Sequence, residues 1–268
     1  MQRGFLNEFQ IIDELNEKRF KDLTPFWRDV LLKPVFRSIP VCDEDVLESY
    51  KCDINGKPDI AIRLNGITKY ISVKSGERNT VHQESLKTFI EFLKQNNISD
   101  NTIETLLLFH YGDGTTDGTG EVRFNTRALL SSLSDRLKIA NNELNCNRIF
   151  ISKCIRRFIF DGVDNTKVPA EFLYHGDKDS GYLVTEKELI KFALWIPMDW
   201  MFMPHIGPMT ITPYLRDVEK ISKNQYKRDI VNISWRDLRR HLVLIKRFEK
   251  EDNELKKRGY LYKPQNKE

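Results

Sequence analysis

The stretch Lys57-Pro58-Asp59-Ile60-Ala61-Ile62-Arg63-Leu64-Asn65-Gly66-Ile67-Thr68-Lys69-Tyr70-Ile71-Ser72-Val73-Lys74-Ser75-Gly76 decides the reading of the chain. Alternate side chains of a strand share one face. Ile60, Ile62 and Leu64 therefore form one apolar row, and Asp59, Ala61 and Arg63 point the other way. Asn65-Gly66 supplies the two positive-φ positions of a tight hairpin turn. On the returning strand, Lys69–Ser75, Ile71 and Val73 are the core pair, and Ser72 and Lys74 share the opposite face. Folding the two strands together brings Asp59 and Lys74 to the same side of a rigid sheet. Upstream, Val46–Cys52 reads as a further strand and Asp53-Ile54-Asn55-Gly56 as its turn, which makes a three-stranded meander with two Asn-Gly turns.

Helical spacing flanks this meander. Phe5, Leu6, Phe9, Ile12 and Leu15 predict a helix over 5–15, and Pro25 opens a short one over Pro25–Phe36. After the meander, Thr80 and Gln83 fit a T-x-x-Q capping box, so a helix is expected over Val81–Gln95 with Leu86, Phe89, Ile90 and Leu93 buried. The apolar run Thr105–Tyr111 reads as a buried strand. Gly112–Gly120, GDGTTDGTG, is a turn-rich loop without the ligand spacing of an EF-hand. Helices are expected over Asn125–Ala140 and Cys146–Phe160. A hairpin is expected from Glu171–His175 and Tyr182–Val184, a helix over Glu186–Trp195, and late strands at Met209–Tyr214 and Asp229–Ser234. With no repeat and no low-complexity linker, the expectation is one α/β domain, its core over 5–111 and its elaboration over 112–268.

A carboxylate beside a lysine on a sheet suits phosphodiester cleavage. The carboxylate can hold a divalent cation, and the lysine can orient water or offset developing negative charge. The order helix, three strands, helix, strand, with Pro58-Asp59 followed by Ser72-Val73-Lys74, resembles the PD-(D/E)XK nuclease superfamily. The resemblance departs at Ser72, where the family usually carries Asp or Glu; it is closest to the subgroup with Ser-x-Lys, in which the next helix supplies the missing acid. It implies a restriction-endonuclease-like fold and an Mg²⁺-dependent DNA endonuclease, with a type II restriction-like enzyme as one form of that reading. Asp59 would be the metal ligand, Lys74 would assist water attack, and Glu84 would be the replacement carboxylate. Glu77 is the alternative, and Glu8 or Glu14 could supply an acid from the first helix. Gly76 and the following helix start place Asn79, His82 and Gln83 near phosphate or substrate. A non-catalytic nucleic-acid-binding protein on the same core is the rival expectation, and Ser72 is what favours it.

Composition narrows the rest. No stretch approaches the length of an apolar membrane span, and MQRGFLNEFQ lacks the apolar run of a signal peptide, so a cytoplasmic protein is expected. Cys42, Cys52, Cys146 and Cys154 form no C-x-x-C pair and read as free thiols. The net charge is +4, but from Ile211 to Glu268 Lys and Arg number 16 against 9 Asp and Glu. There Arg216, Lys227, Arg228, Arg236, Arg239 and Arg240 interleave with Tyr214, Tyr226 and Trp235, a pattern suited to nucleic-acid contact. DNA is the expected partner. The resemblance makes a homodimer one candidate assembly, because restriction-like enzymes often cut two strands as dimers, but no residue identifies an interface.

Overall fold

A computed structural model describes residues 3–52, 56–76, 80–164, 167–198, 202–215 and 225–257. The chain begins with helices α1 (Arg3–Leu15) and α2 (Pro25–Leu32). The meander follows as β1 (Glu48–Lys51), β2 (Ile60–Leu64) and β3 (Ile67–Lys74). Both of its pairings are antiparallel, with Tyr50 opposite Ala61 and Ile60 opposite Ile71. Asn65 and Gly66 take φ of 50° and 77° between the paired residues Leu64 and Ile67, as a two-residue primed turn requires. Of the upstream turn, Asp53, Ile54 and Asn55 lie outside the described residues.

The chain then departs from the expected helix. Thr80–Ser85 is a strand, β4, and the helix starts later as α3 (Leu86–Gln95). The cap is Ser85, whose hydroxyl accepts from the Thr88 N–H at 3.1 Å. Two overlapping cap signals stand in this sequence. The earlier one loses because residues 80–85 find backbone partners in a distant strand, and tertiary pairing overrides local propensity. The second correction is Thr105–Tyr111, which belongs to helix α4 (Asp100–Tyr111). Ser99 caps it, and Gly112 ends it in the left-handed region. Thr102, Ile103, Leu106, Phe109 and Tyr111 are all buried. A helix buried nearly all round shows no polar face, so its sequence mimics an apolar strand.

Three further helices, α5 (Thr126–Ser132), α6 (Ser134–Cys146) and α7 (Arg148–Ile155), run into a π-helical turn, Arg156–Asp161. The expected hairpin forms as β5 (Phe172–Gly176) and β6 (Gly181–Thr185), followed by α8 (Glu186–Ala193). The remaining elements are β7 (His205–Ile206), β8 (Met209–Pro213), α9 (Gln225–Arg228), β9 (Ile230–Trp235) and α10 (Leu238–Lys257).

Two sheets result. The first has the order β1-β2-β3-β5-β6, with β5 parallel to β3; the second has the order β4-β9-β8-β7. The strand that extends the meander is thus Phe172–Gly176 rather than Thr105–Tyr111, and the sheet reaches far beyond residue 111. On one face of the first sheet, Ile60, Ile62, Leu64, Ile71, Val73 and Phe172 pack against Ile11, Leu15 and Trp27. On the other face, Leu173 and Val184 join a larger core with Val231, Ile233 and Trp235 of the second sheet. The fold is therefore mixed α/β, as expected. Among the described residues, no helix is long and apolar enough to cross a membrane.

Candidate catalytic site

Asp59 stands just before β2, opposite Ser72 in the hairpin register. Its backbone is held on both sides: its N–H donates to Ile71 at 2.9 Å, and its carbonyl accepts from Cys52 at 3.1 Å. One carboxylate oxygen, Oδ2, accepts from the Val73 N–H at 2.6 Å, the Ser72 hydroxyl at 3.1 Å and the Lys74 ammonium at 3.2 Å. The Lys74 ammonium also donates to the Val73 carbonyl at 3.0 Å. The two side chains stay partly open to solvent, at 27% for Asp59 and 22% for Lys74. The alternation of the sequence thus places Asp59, Ser72 and Lys74 together. Ser72, where an acid would stand in the family pattern, is fully buried and acts as a donor to Asp59.

A second carboxylate approaches from α1. Glu8 pairs with Lys51 at 3.1 Å and has a raised pKa, first from burial and then from the charge of Asp59; Lys51 and Lys74 pull it back. Lys51 itself is held over the Phe5 ring, 3.8 Å from its centroid. Glu14, the other acid weighed on this helix, is engaged one turn along with Lys18 at 3.0 Å.

Glu84 is placed differently from expectation. It lies on β4, buried, with Oε2 2.6 Å from Arg157 and Oε1 3.3 Å from His82 Nε2. Burial pushes its carboxyl up, but the contacts with His82 and Arg157 outweigh this and leave the pKa lowered. The contacts of Glu84 therefore go to His82 and Arg157, not to Asp59. The Arg157 guanidinium also covers the Phe92 ring at 4.4 Å.

Sequence reasoning missed Lys57. Its ammonium donates to the Val81 carbonyl at 2.9 Å and to the Phe158 carbonyl, and it lies 2.8 Å from His82 Nδ1. No carboxylate touches it among the described residues. Desolvation, with help from Lys74, brings its pKa down to about 7, against the pull of Asp59 and Glu84. Its only sequence signal was proximity to Asp59. His82 stacks on Phe158 at 5.3 Å, and burial lowers its pKa, so it is a neutral buried ring tied to Lys57.

The basic C-terminal part divides into two groups. Arg228 is structural: it pairs with the fully buried Asp113 at 2.6 Å and donates to the Gly118 carbonyl. Asp113 in turn accepts from Thr115 and Gly120, so the Gly/Asp/Thr loop is folded around a buried ion pair. Trp235 is a core residue whose indole N–H meets His241 Nδ1 at 2.9 Å. Lys227 lies over the Tyr214 ring at 5.4 Å. Arg236, Arg239 and Arg240 are exposed and make no ion pair among the described residues. The charge of Arg239 is felt by His175, the register partner of Lys74, and by Asp177. Gln83 is exposed on β4 and donates to Asn232 Oδ1 at 3.1 Å. Glu77, Asn79 and Arg216 lie outside the described residues.

Among the described residues, no cluster of three or more His, Cys, Asp or Glu side chains is placed to hold a metal ion. What the site does offer is oxygen: the Asp59 carboxylate, the Glu8 carboxylate whose pKa burial and the charge of Asp59 raise, and the Val73 carbonyl next to Lys74. Oxygen donors are the chemistry of Mg²⁺ rather than of a soft transition metal. No known protein-family profile matches the chain, and no curated protein sequence matches it.

Proposed function

We propose that this protein is a metal-dependent endonuclease that hydrolyses phosphodiester bonds of DNA, with Asp59 and Lys74 at its centre. The observation that carries the reading is the convergence of Ser72, Val73 and Lys74 on one oxygen of Asp59, on a hairpin whose register fixes all four. That arrangement leaves Asp59 Oδ1 outside the three bonds and the lysine ammonium partly solvated beside it. Asp59, with Glu8 from α1, would hold Mg²⁺; the bound ion would neutralise the scissile phosphate and acidify water. Lys74 orients the attacking water and offsets the negative charge that grows on phosphate oxygens. A bound cation would offset both the burial of the Glu8 carboxylate and its repulsion by Asp59, which together raise the pKa of Glu8. Glu84, the carboxylate expected from the family pattern, enters the site only if it exchanges Arg157 for the cation. A homodimer would present two such centres, one for each strand of a duplex.

The decisive assay is cleavage of plasmid and linear DNA by the purified chain in Mg²⁺ and in EDTA. Cleavage that requires Mg²⁺ supports the reading, and none in Mg²⁺ or Mn²⁺ sinks it. Ser72 and the engagement of Glu84 with Arg157 favour a second reading, a DNA-binding protein without catalysis. Such a protein binds DNA equally well whether or not a divalent cation is present.

A further inference from the structure

The second sheet carries a polar row that the catalytic reading does not use. β4 and β9 pair antiparallel with Gln83 opposite Asn232, and their inward residues His82, Glu84, Val231, Ile233 and Trp235 are buried. Gln83, Asn232 and Ser234 occupy the other face, Gln83 exposed and the other two half-buried. Their hydrogen bonds run in one direction. Gln83 Nε2 donates to Asn232 Oδ1 at 3.1 Å, and Asn232 Nδ2 donates to the Ser234 hydroxyl at 3.0 Å. These two bonds tie the Gln83 amide to Asn232 and the Asn232 amide to Ser234. They also leave Gln83 with its carbonyl oxygen and one N–H uncommitted among the described residues, an acceptor and a donor on one planar group.

Three arginines follow this row in the chain. Arg236 follows Ser234 by two residues, and Arg239 and Arg240 open α10. All three are exposed and without an ion pair among the described residues, so they keep full charge for a polyanion. The field of Arg239 reaches His175 at the end of β5, the register partner of Lys74, so Arg239 lies toward the proposed cutting site. β4 is itself the strand entered a few residues after Lys74.

We propose that this face is a base-reading surface for duplex DNA, on which Gln83 recognises an adenine in the major groove, Asn232 and Ser234 hold its amide in the reading orientation, and Arg236, Arg239 and Arg240 bind the flanking phosphates. An amide with a free acceptor and a free donor complements the N6 donor and N7 acceptor of adenine, and no other base presents that pair in the major groove. The arginines give position and affinity but carry no sequence. The inference rests on DNA being the substrate and deepens that reading by naming a base.

The test is selection from a pool of random-sequence duplexes by the full chain at low salt, with EDTA and, in parallel, with Ca²⁺ in place of Mg²⁺. The enriched duplexes should hold a fixed adenine, preferred roughly 10-fold or more over the other bases. Gln83→Ala should erase that preference while changing affinity for unselected DNA by less than about 3-fold. Gln83→Glu, an acceptor only, should shift the position toward cytosine. Asn232→Ala should weaken the preference less than Gln83→Ala does. Replacing the three arginines by Ala should weaken all duplexes alike. Enrichment that Gln83→Ala leaves unchanged, or binding without any enrichment, overturns the proposal while the nuclease reading stands. Enrichment by a chain that cuts nothing in Mg²⁺ upholds the proposal and defeats the nuclease. Absence of any binding defeats both.

Discussion

Lys57 Nζ lies 2.8 Å from His82 Nδ1, a contact that joins the approach to β2 in the first sheet to β4 in the second. With the carbonyls of Val81 and Phe158 it closes a polar clasp behind Asp59, only two residues away. An ammonium held by carbonyls and a neutral ring, with no carboxylate in contact among the described residues, bears most of its desolvation cost uncompensated. Its pKa of about 7 follows from that.

The sign of the resulting pH dependence is fixed. The folded-state pKa is below the ordinary lysine value of 10.5, so between about pH 7 and pH 10 the unfolded chain binds more protons than the folded one. The contribution of Lys57 to stability therefore rises with pH across that window, and below it the full penalty of burying the cation is present. Lys57→Met should flatten this part of the profile. Urea denaturation at several pH values, comparing the two proteins, measures it; an unchanged slope means that Lys57 keeps an ordinary pKa.

Asp59→Asn and Lys74→Ala should each lower kcat for DNA cleavage by at least about 100-fold while the far-ultraviolet circular dichroism stays native. Both side chains are partly solvated, so neither substitution opens a core cavity. A folded variant that cuts at the parental rate removes that residue from the chemistry.

Glu8 and Glu84 separate under substitution. Glu8→Gln should raise the Mg²⁺ concentration needed for half-maximal cleavage, since it removes a carboxylate that feels the charge of Asp59. Glu84→Gln should instead destabilise the fold by about 3 kcal/mol, because Arg157 is left as a buried charge with a weaker partner. Mg²⁺ titrations and denaturation curves on both variants decide the matter. A changed Mg²⁺ requirement in Glu84→Gln with intact stability would return Glu84 to the metal site.

The loop Gly112–Gly120 should open when its buried ion pair is cut. Asp113→Asn leaves Arg228 facing a neutral amide, and a loss of roughly 3 kcal/mol is expected, with faster amide exchange at Thr115, Gly118 and Thr119. Unaltered exchange there would mean that the backbone holds the loop without Asp113.

The meander could be read because its information is local: alternation sets the faces, and Asn65-Gly66 sets the register, so the meeting of Asp59, Ser72 and Lys74 needed nothing from elsewhere. The hairpin of β5 and β6 and the strands β8 and β9 were legible for the same reason. Residues 80–85 were not, because their strand pairing comes from Ile230–Trp235, while T-x-x-Q advertised a local alternative. Helix α4 was hidden by its own burial. The environment of Glu84 and Lys57 was out of reach, since Arg157 and Phe158 meet them from more than seventy residues away, and no periodicity carries that information. The role of Trp235 was not legible, because an indole buried against His241 and one facing solvent look alike in sequence.

The parallel pairing of β3 with β5 sets a condition on how this protein is made. Lys74 and His175 are register partners separated by about a hundred residues, whereas β2 and β3 meet across a two-residue turn. Loop closure over such a distance is slow compared with hairpin formation. During synthesis the meander can form early, but β3 remains an open edge until the chain has been extended past Gly176. An open edge is a template for pairing with other chains. The segment that bears the proposed chemistry is thus also the one most exposed to misassembly in an unfinished chain, and truncations ending between β3 and β5 should aggregate rather than yield a smaller working unit.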